Sequence, residues 1–153
     1  MLGALEHATE VGALTVGLAC NLETPLGRAA TYGIEVAVGP EVVSGSTRLG
    51  AGTATKMVLN ILSTATMVQL GKTYGSLMVD MRASNDKLRH RAVRMVAEAT
   101  GAERTTATAA LEAAGWHTKL AIATILTGLS PAEAADALER AGGRLRTVVE
   151  ERG

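Results

Sequence analysis

The chain has 153 residues, with 15 Lys or Arg against 15 Asp or Glu, so its formal charge is zero. That balance argues against a protein built mainly to hold nucleic acid or an anionic membrane. One Trp, two Tyr and no Phe leave little for stacking on bases or sugar rings, while 47% apolar residues and 17 Gly indicate a folded globular chain with an aliphatic core.

Leu2 to Val11 reads as an amphipathic helix with no capping residue before it. Ala13 to Cys20 is a continuous apolar run, the pattern of a strand buried on both faces in a parallel sheet. Asn21 to Ala30, with Pro25, predicts a loop holding one helical turn, and Tyr32 to Val38 predicts a second strand. Helix, strand, short connection and strand form part of an α/β sheet, and two parallel strands alone leave unpaired edges. A Gly- and Ser-rich loop spans Gly39 to Gly52, and a long helix follows from about Thr53 to Leu70. Tyr74 to Asp80 is expected to be extended or irregular.

After Met81 the pattern becomes helical. Ser84 is the expected cap of a helix ending at Gly101, with Leu88, Val93, Met95 and Val96 inward. A second helix starts at Thr105 or Thr106 and closes at Gly115; a third runs from Thr118 to Gly128. Ser130-Pro131-Ala132-Glu133 predicts a fourth, with Ser130 as cap, Pro131 at the first position and Glu133 completing a capping box. The expected domains are therefore an α/β part over 1–82 and a helical part over 83–153.

Several residues carry chemistry without a pattern that demands it. Cys20 is the single cysteine, which excludes an internal disulfide and a cysteine-rich zinc site, and it reads as a small buried filler. His7, His90 and His117 lie on separate elements without metal-ligand spacing, so no metal is expected. Arg82, Lys87, Arg89, Arg91 and Arg94 read as a solvated helix face diluted by Asp86 and Glu98. Trp116, beside Gly115, is expected to pack at a turn between helices. The first ten residues hold Glu6, His7 and Glu10, so no signal peptide is expected, and the stretch from Met57 to Leu70 is too interrupted to span a bilayer. The expected setting is the cytoplasm.

The most unusual segment runs from Gly39 to Lys56, between the second strand and the long helix. Ligands of open α/β sheets sit beyond the carboxyl ends of the strands, where this loop would lie. Free amides on Gly45 to Thr47, the hydroxyls of Ser44, Ser46 and Thr47 and the fork of Arg48 suit a phosphate or carboxylate. Lys56 does not follow the spacing of a nucleotide-binding phosphate loop. The competing reading is a connector whose glycines allow close packing.

The run from Gly39 to Lys56 closely resembles the signature of the N-acetylmuramic acid 6-phosphate etherases and the related glucokinase regulatory proteins. The likeness continues through Val58-Leu59-Asn60-Ile61-Leu62-Ser63-Thr64, Leu70 to Asp80 and Asn85-Asp86-Lys87-Leu88. Gly50 stands where that family usually has Lys, and Ser76 where it usually has Asn. The resemblance implies the C-terminal half of a sugar isomerase (SIS) parallel-sheet sandwich, followed by a small ubiquitin-associated-like (UBA-like) helical domain. It implies a carbon–oxygen lyase that splits the D-lactyl ether of N-acetylmuramic acid 6-phosphate by elimination and hydration, without metal or organic cofactor. Its implied partners are a phosphorylated amino sugar and a second copy in a homodimer, with neither nucleic acid nor membrane. The family's acidic catalysts and main phosphate loop lie upstream, so no catalytic residue is carried over and this chain alone is expected to be inactive. Within the signature, Ser44, Ser46, Thr47 and Arg48 are the expected substrate-binding residues. Glu41, its one carboxylate, is weighed as a proton-transfer candidate against a contact that holds the loop. A phosphosugar-sensing regulatory protein is the alternative function.

Overall fold

The first helix, α1 (Leu2–Glu10), starts without a side-chain cap and buries none of its residues. The apolar run behind it yields β1 (Val16–Ala19), and the Pro25 turn yields α2 (Pro25–Ala29), whose first turn is capped by Thr24 Oγ1 accepting the Gly27 N–H at 3.0 Å. β2 (Tyr32–Glu35) pairs with β1 in parallel, Val16 opposite Tyr32 and Ala19 opposite Glu35. Parallel strands need a crossover, and α2 is that crossover, packed on both strands. Its close approach depends on two glycines. A Cβ on Gly17 would stand 2.6 Å from the Leu26 carbonyl oxygen, and one on Gly33 would stand 2.6 Å from that of Gly27.

Both strands are shorter than the apolar runs that predicted them. The Thr31 N–H donates to Thr15 Oγ1 at 2.9 Å, so a side chain closes the ladder at its amino end. The long helix α3 (Gly50–Gln69) begins earlier than the expected Thr53. The computed structural model describes residues 1–152, and the chain divides inside α3 into two compact units, Met1–Ser63 and Thr64 onward. In the first unit only Thr15 and Gly17 are buried.

The second unit opens with a small antiparallel hairpin, β3 (Thr73–Tyr74) and β4 (Leu77–Met78), where the sequence promised only an extended or irregular stretch. Asn85, not Ser84, caps α4 (Asp86–Thr100): its Oδ1 accepts the Leu88 N–H at 3.0 Å, and Gly101 ends the helix in the left-handed region. Arg89 lies 4.8 Å from the ring centre of Trp116, so one cation of the basic run covers the aromatic turn. α5 (Arg104–Ala113) starts ahead of Thr105, from Glu103, with no side-chain cap. α6 (Thr118–Thr127) closes at Gly128, and α7 (Pro131–Arg140) has the full capping box of Ser130 and Glu133. A further helix, α8 (Leu145–Glu150), completes the bundle. α6 packs against α4, α5, α7 and α8. Val79, Val96, Leu111, Ile122, Leu145 and Val148 are buried around it. No helix among the described residues is long and apolar enough to cross a membrane.

One charged group lies inside this bundle. Lys119 is 9% exposed. Its Nζ donates to the Gly143 carbonyl at 3.0 Å and pairs with Asp80 Oδ1 at 3.0 Å, while Asp80 Oδ2 pairs with Lys72. Burial pushes the Asp80 carboxyl up, but the two lysines outweigh it and hold its pKa below the ordinary value. Because the folded-state value is depressed, this stabilisation is present above the ordinary Asp range and lost as pH falls through the folded value. Asp80→Asn is therefore expected to cost about 2 kcal/mol at neutral pH. Urea unfolding of both proteins checks this, with the gap between them closing below the ordinary Asp range.

Candidate functional site at the ends of the parallel strands

Two loops leave the carboxyl ends of β1 and β2, and a carboxylate fastens each of them. Glu35, the last residue of β2, turns back to the loop after β1. Its Oε2 accepts the Glu23 N–H at 2.7 Å, and its Oε1 accepts the Thr24 N–H and hydroxyl, each at 2.7 Å. Glu23 sits at φ 56, an uncommon conformation for a side chain of this type, and these bonds hold it there. The Thr24 hydroxyl, followed by the backbone amides, keeps the Glu35 carboxyl below its ordinary range. Glu35 lines a cleft of about 610 Å³ with Glu23, Gly27, Arg28 and Gly33.

The loop after β2 turns at Gly45, φ 84, where the Ser46 N–H donates to the Val43 carbonyl at 3.1 Å. The Ser46 amide, expected to be free for an anion, is thus taken by the turn. Glu41 reaches across the loop to the start of α3. Its Oε2 accepts the Gly50 N–H at 2.9 Å and its Oε1 the Ala51 N–H at 3.0 Å. Those amides, Ala51 first, keep its carboxyl below the ordinary range. This contact explains the early start of α3, since an anion at a helix N-terminus satisfies amides that have no partner within the helix. It also holds the loop, the use weighed against proton transfer. A phosphate aimed at these helix amides would compete with the protein's own carboxylate.

Of the expected binding residues, Ser44, Thr47 and Arg48 are exposed and Ser46 is half-buried. Among the described residues none of their side chains makes a hydrogen bond or ion pair, so the Ser44 and Thr47 hydroxyls and the Arg48 guanidinium face water along one short turn, with the half-buried Ser46 hydroxyl between them. The capacity of this loop for an anion rests on those side chains, and Arg48 is the group able to make bidentate contact. Cys20 is half-buried rather than sealed in a core: its thiol lies 3.4 Å from the Ala51 carbonyl and 3.5 Å from Thr55 Oγ1. The role of Glu35 had no counterpart in the reading of the sequence. Its signal was an acid at the carboxyl end of one strand, matched by a Thr-Pro helix start after the other.

A relative in Mycolicibacterium smegmatis is 56% identical over 149 residues, which cover 97% of this chain and 50% of the relative. Another in Streptomyces avermitilis is 55% identical, covering 97% of this chain and 48% of its own length; one in Halalkalibacterium halodurans is 51% identical, covering 99% and 51%. All three carry the name N-acetylmuramic acid 6-phosphate etherase. By sequence, the chain is similar along nearly its whole length to one half of the N-acetylmuramic acid 6-phosphate etherases. It spans about half the length of the curated relatives it matches. No protein-family model matches the chain. The names of these etherase relatives do not favour the regulatory alternative.

The Glu41 contact has a direct readout. Its folded-state pKa is lowered, so the stabilisation of the α3 start is present above the ordinary Glu value of 4.5 and is lost as pH falls through the folded value. The Gly50 and Ala51 amide resonances are expected to titrate with a midpoint below 4.5. In Glu41→Gln that titration disappears.

Proposed function

We propose that this chain forms the C-terminal half of an etherase that cleaves N-acetylmuramic acid 6-phosphate to N-acetylglucosamine 6-phosphate and D-lactate. The observation that carries the reading is 51–56% identity to proteins of that name along nearly the whole chain. In this reading residues 1–82 belong to a SIS-type sugar-phosphate domain and 83–153 to a UBA-like helical domain, in a cytoplasmic homodimer that needs no metal or organic cofactor.

The chemistry divides between two halves. Elimination needs a base to take the proton from the sugar C2 and an acid to protonate the lactate oxygen as its bond to C3 breaks; water then adds across the resulting double bond. We assign both groups to the half of the relatives that this chain does not cover. Ser44, Ser46, Thr47 and Arg48 are assigned to the phosphorylated sugar. Their free hydroxyls and guanidinium support this, as does their position beyond the carboxyl end of a parallel strand. Glu41 serves by holding the loop that presents them.

The 153-residue chain alone is expected to release no D-lactate from the phosphorylated substrate. A chimera in which it replaces the matching half of the Mycolicibacterium smegmatis relative is expected to release it. Turnover by the isolated chain, or an inert but folded chimera, overturns the reading. In the active chimera, Arg48→Ala is expected to raise KM on the order of tenfold or more, with kcat little changed, as loss of a charged hydrogen bond to a bound anion requires. Steady-state kinetics reads both.

A further inference from the structure

The second unit holds a cleft of about 540 Å³ bounded by Met81 and Arg82, the start of α6 and one flank of α7. Its apolar lining comes from Met81 and Leu120, both half-buried, and from the buried Leu138. A concave site of this size, mostly apolar and with a few polar groups, has the form of a small-molecule pocket. The charges along it are of both signs. Asp80 is already engaged by Lys72 and Lys119. Lys119 keeps one donor in reserve: an ammonium carries three N–H groups, and the Gly143 carbonyl and Asp80 Oδ1 take two. Arg82 and Glu139 also line the cleft, and both are exposed. Among the described residues neither side chain has an ion pair or a hydrogen bond. The cleft therefore offers one uncommitted cation and one uncommitted anion beside an apolar wall.

We propose that this cleft binds a free dipeptide with an apolar side chain. The ligand carboxylate pairs with Arg82, which can meet it with two parallel N–H groups, and accepts the remaining Lys119 donor. Its ammonium pairs with Glu139, and its side chain lies on Leu120 and Leu138. Charge complementarity selects this occupant. A simple anion would meet Arg82 but also an uncompensated Glu139, and a simple cation would meet Glu139 but also Arg82. A ligand with one charge of each sign satisfies both groups. A single amino acid carries its two charges on one carbon and fills little of this volume, whereas a dipeptide sets them a peptide unit apart. The inference is independent of the etherase reading, since none of these residues lies in the turn assigned to the phosphorylated sugar.

The test is titration of the isotope-labelled full chain with alanyl-leucine, followed by backbone amide resonances. The expected result is a saturable shift at Arg82, Leu120, Leu138 and Glu139, with Kd on the order of 1 mM or tighter. N-acetyl-alanyl-leucine, which lacks the ammonium, and alanyl-leucinamide, which lacks the carboxylate, are each expected to bind about tenfold more weakly or worse. Glu139→Gln is expected to weaken the dipeptide by a similar factor and to erase its advantage over the acetylated form. Arg82→Gln is expected to erase its advantage over the amide form. Both side chains are exposed, so the melting temperature is expected to stay unchanged in either variant. No saturable shift up to about 10 mM, equal affinity for the capped peptides, or binding that survives both substitutions overturns the proposal. Free leucine binding as tightly as the dipeptide overturns the dipeptide assignment.

Discussion

A parallel strand pair exists only where the chain can cross back over its own sheet, and here the crossover lies so close that two strand positions have no room for a side chain. Gly17 and Gly33 face the backbone of α2 at distances no Cβ tolerates. Once α2 is seated there, β1 and β2 run in the same direction, and the loops leaving both strands emerge at one end of the sheet. The positions of Glu35, Glu41 and the hydroxyl-rich turn follow from that constraint.

At that end the fold uses carboxylates as fasteners. Glu35 gathers two amides and a hydroxyl of the neighbouring loop, and Glu41 gathers amides at the start of α3. Each satisfies backbone donors that would otherwise depend on water, and each is thereby held ionised. The same arrangement makes the helix start unavailable to an outside anion and leaves Arg48 with the nearby hydroxyls as the groups free to meet one. Position in a signature and availability in space thus separate Glu41 from Arg48, although the sequence places them only a few residues apart.

The second unit is organised around α6, which meets four other helices. Small side chains make this packing feasible: Ala92, Ala107, Ala121, Ala123 and Ala134 are all fully buried or nearly so, and few aromatic groups exist to fill wider gaps. Lys119 enters the same interior because its ammonium finds both a carboxylate and a carbonyl there. The two units therefore differ in kind, one with an aliphatic interior of its own and the other with only Thr15 and Gly17 buried.

The sequence by itself determined the parallel pair, the one-turn crossover, the helical character after Met81, the closing glycines at 101 and 128 and the capping box of Ser130 and Glu133. Those features are written in residues within a few positions of one another, where backbone preference and side-chain reach act locally. It missed the hairpin at 73–78 and α8, and it chose Ser84 over Asn85, because very short elements and adjacent capping residues differ little in local preference. Only the tertiary structure decided that Glu41 caps α3, that Glu35 braces the opposite loop and that Lys119 is buried against Asp80. Each of these joins groups separated along the chain, and an ionisable side chain acquires its role from whichever donors or acceptors the completed fold brings within hydrogen-bond reach.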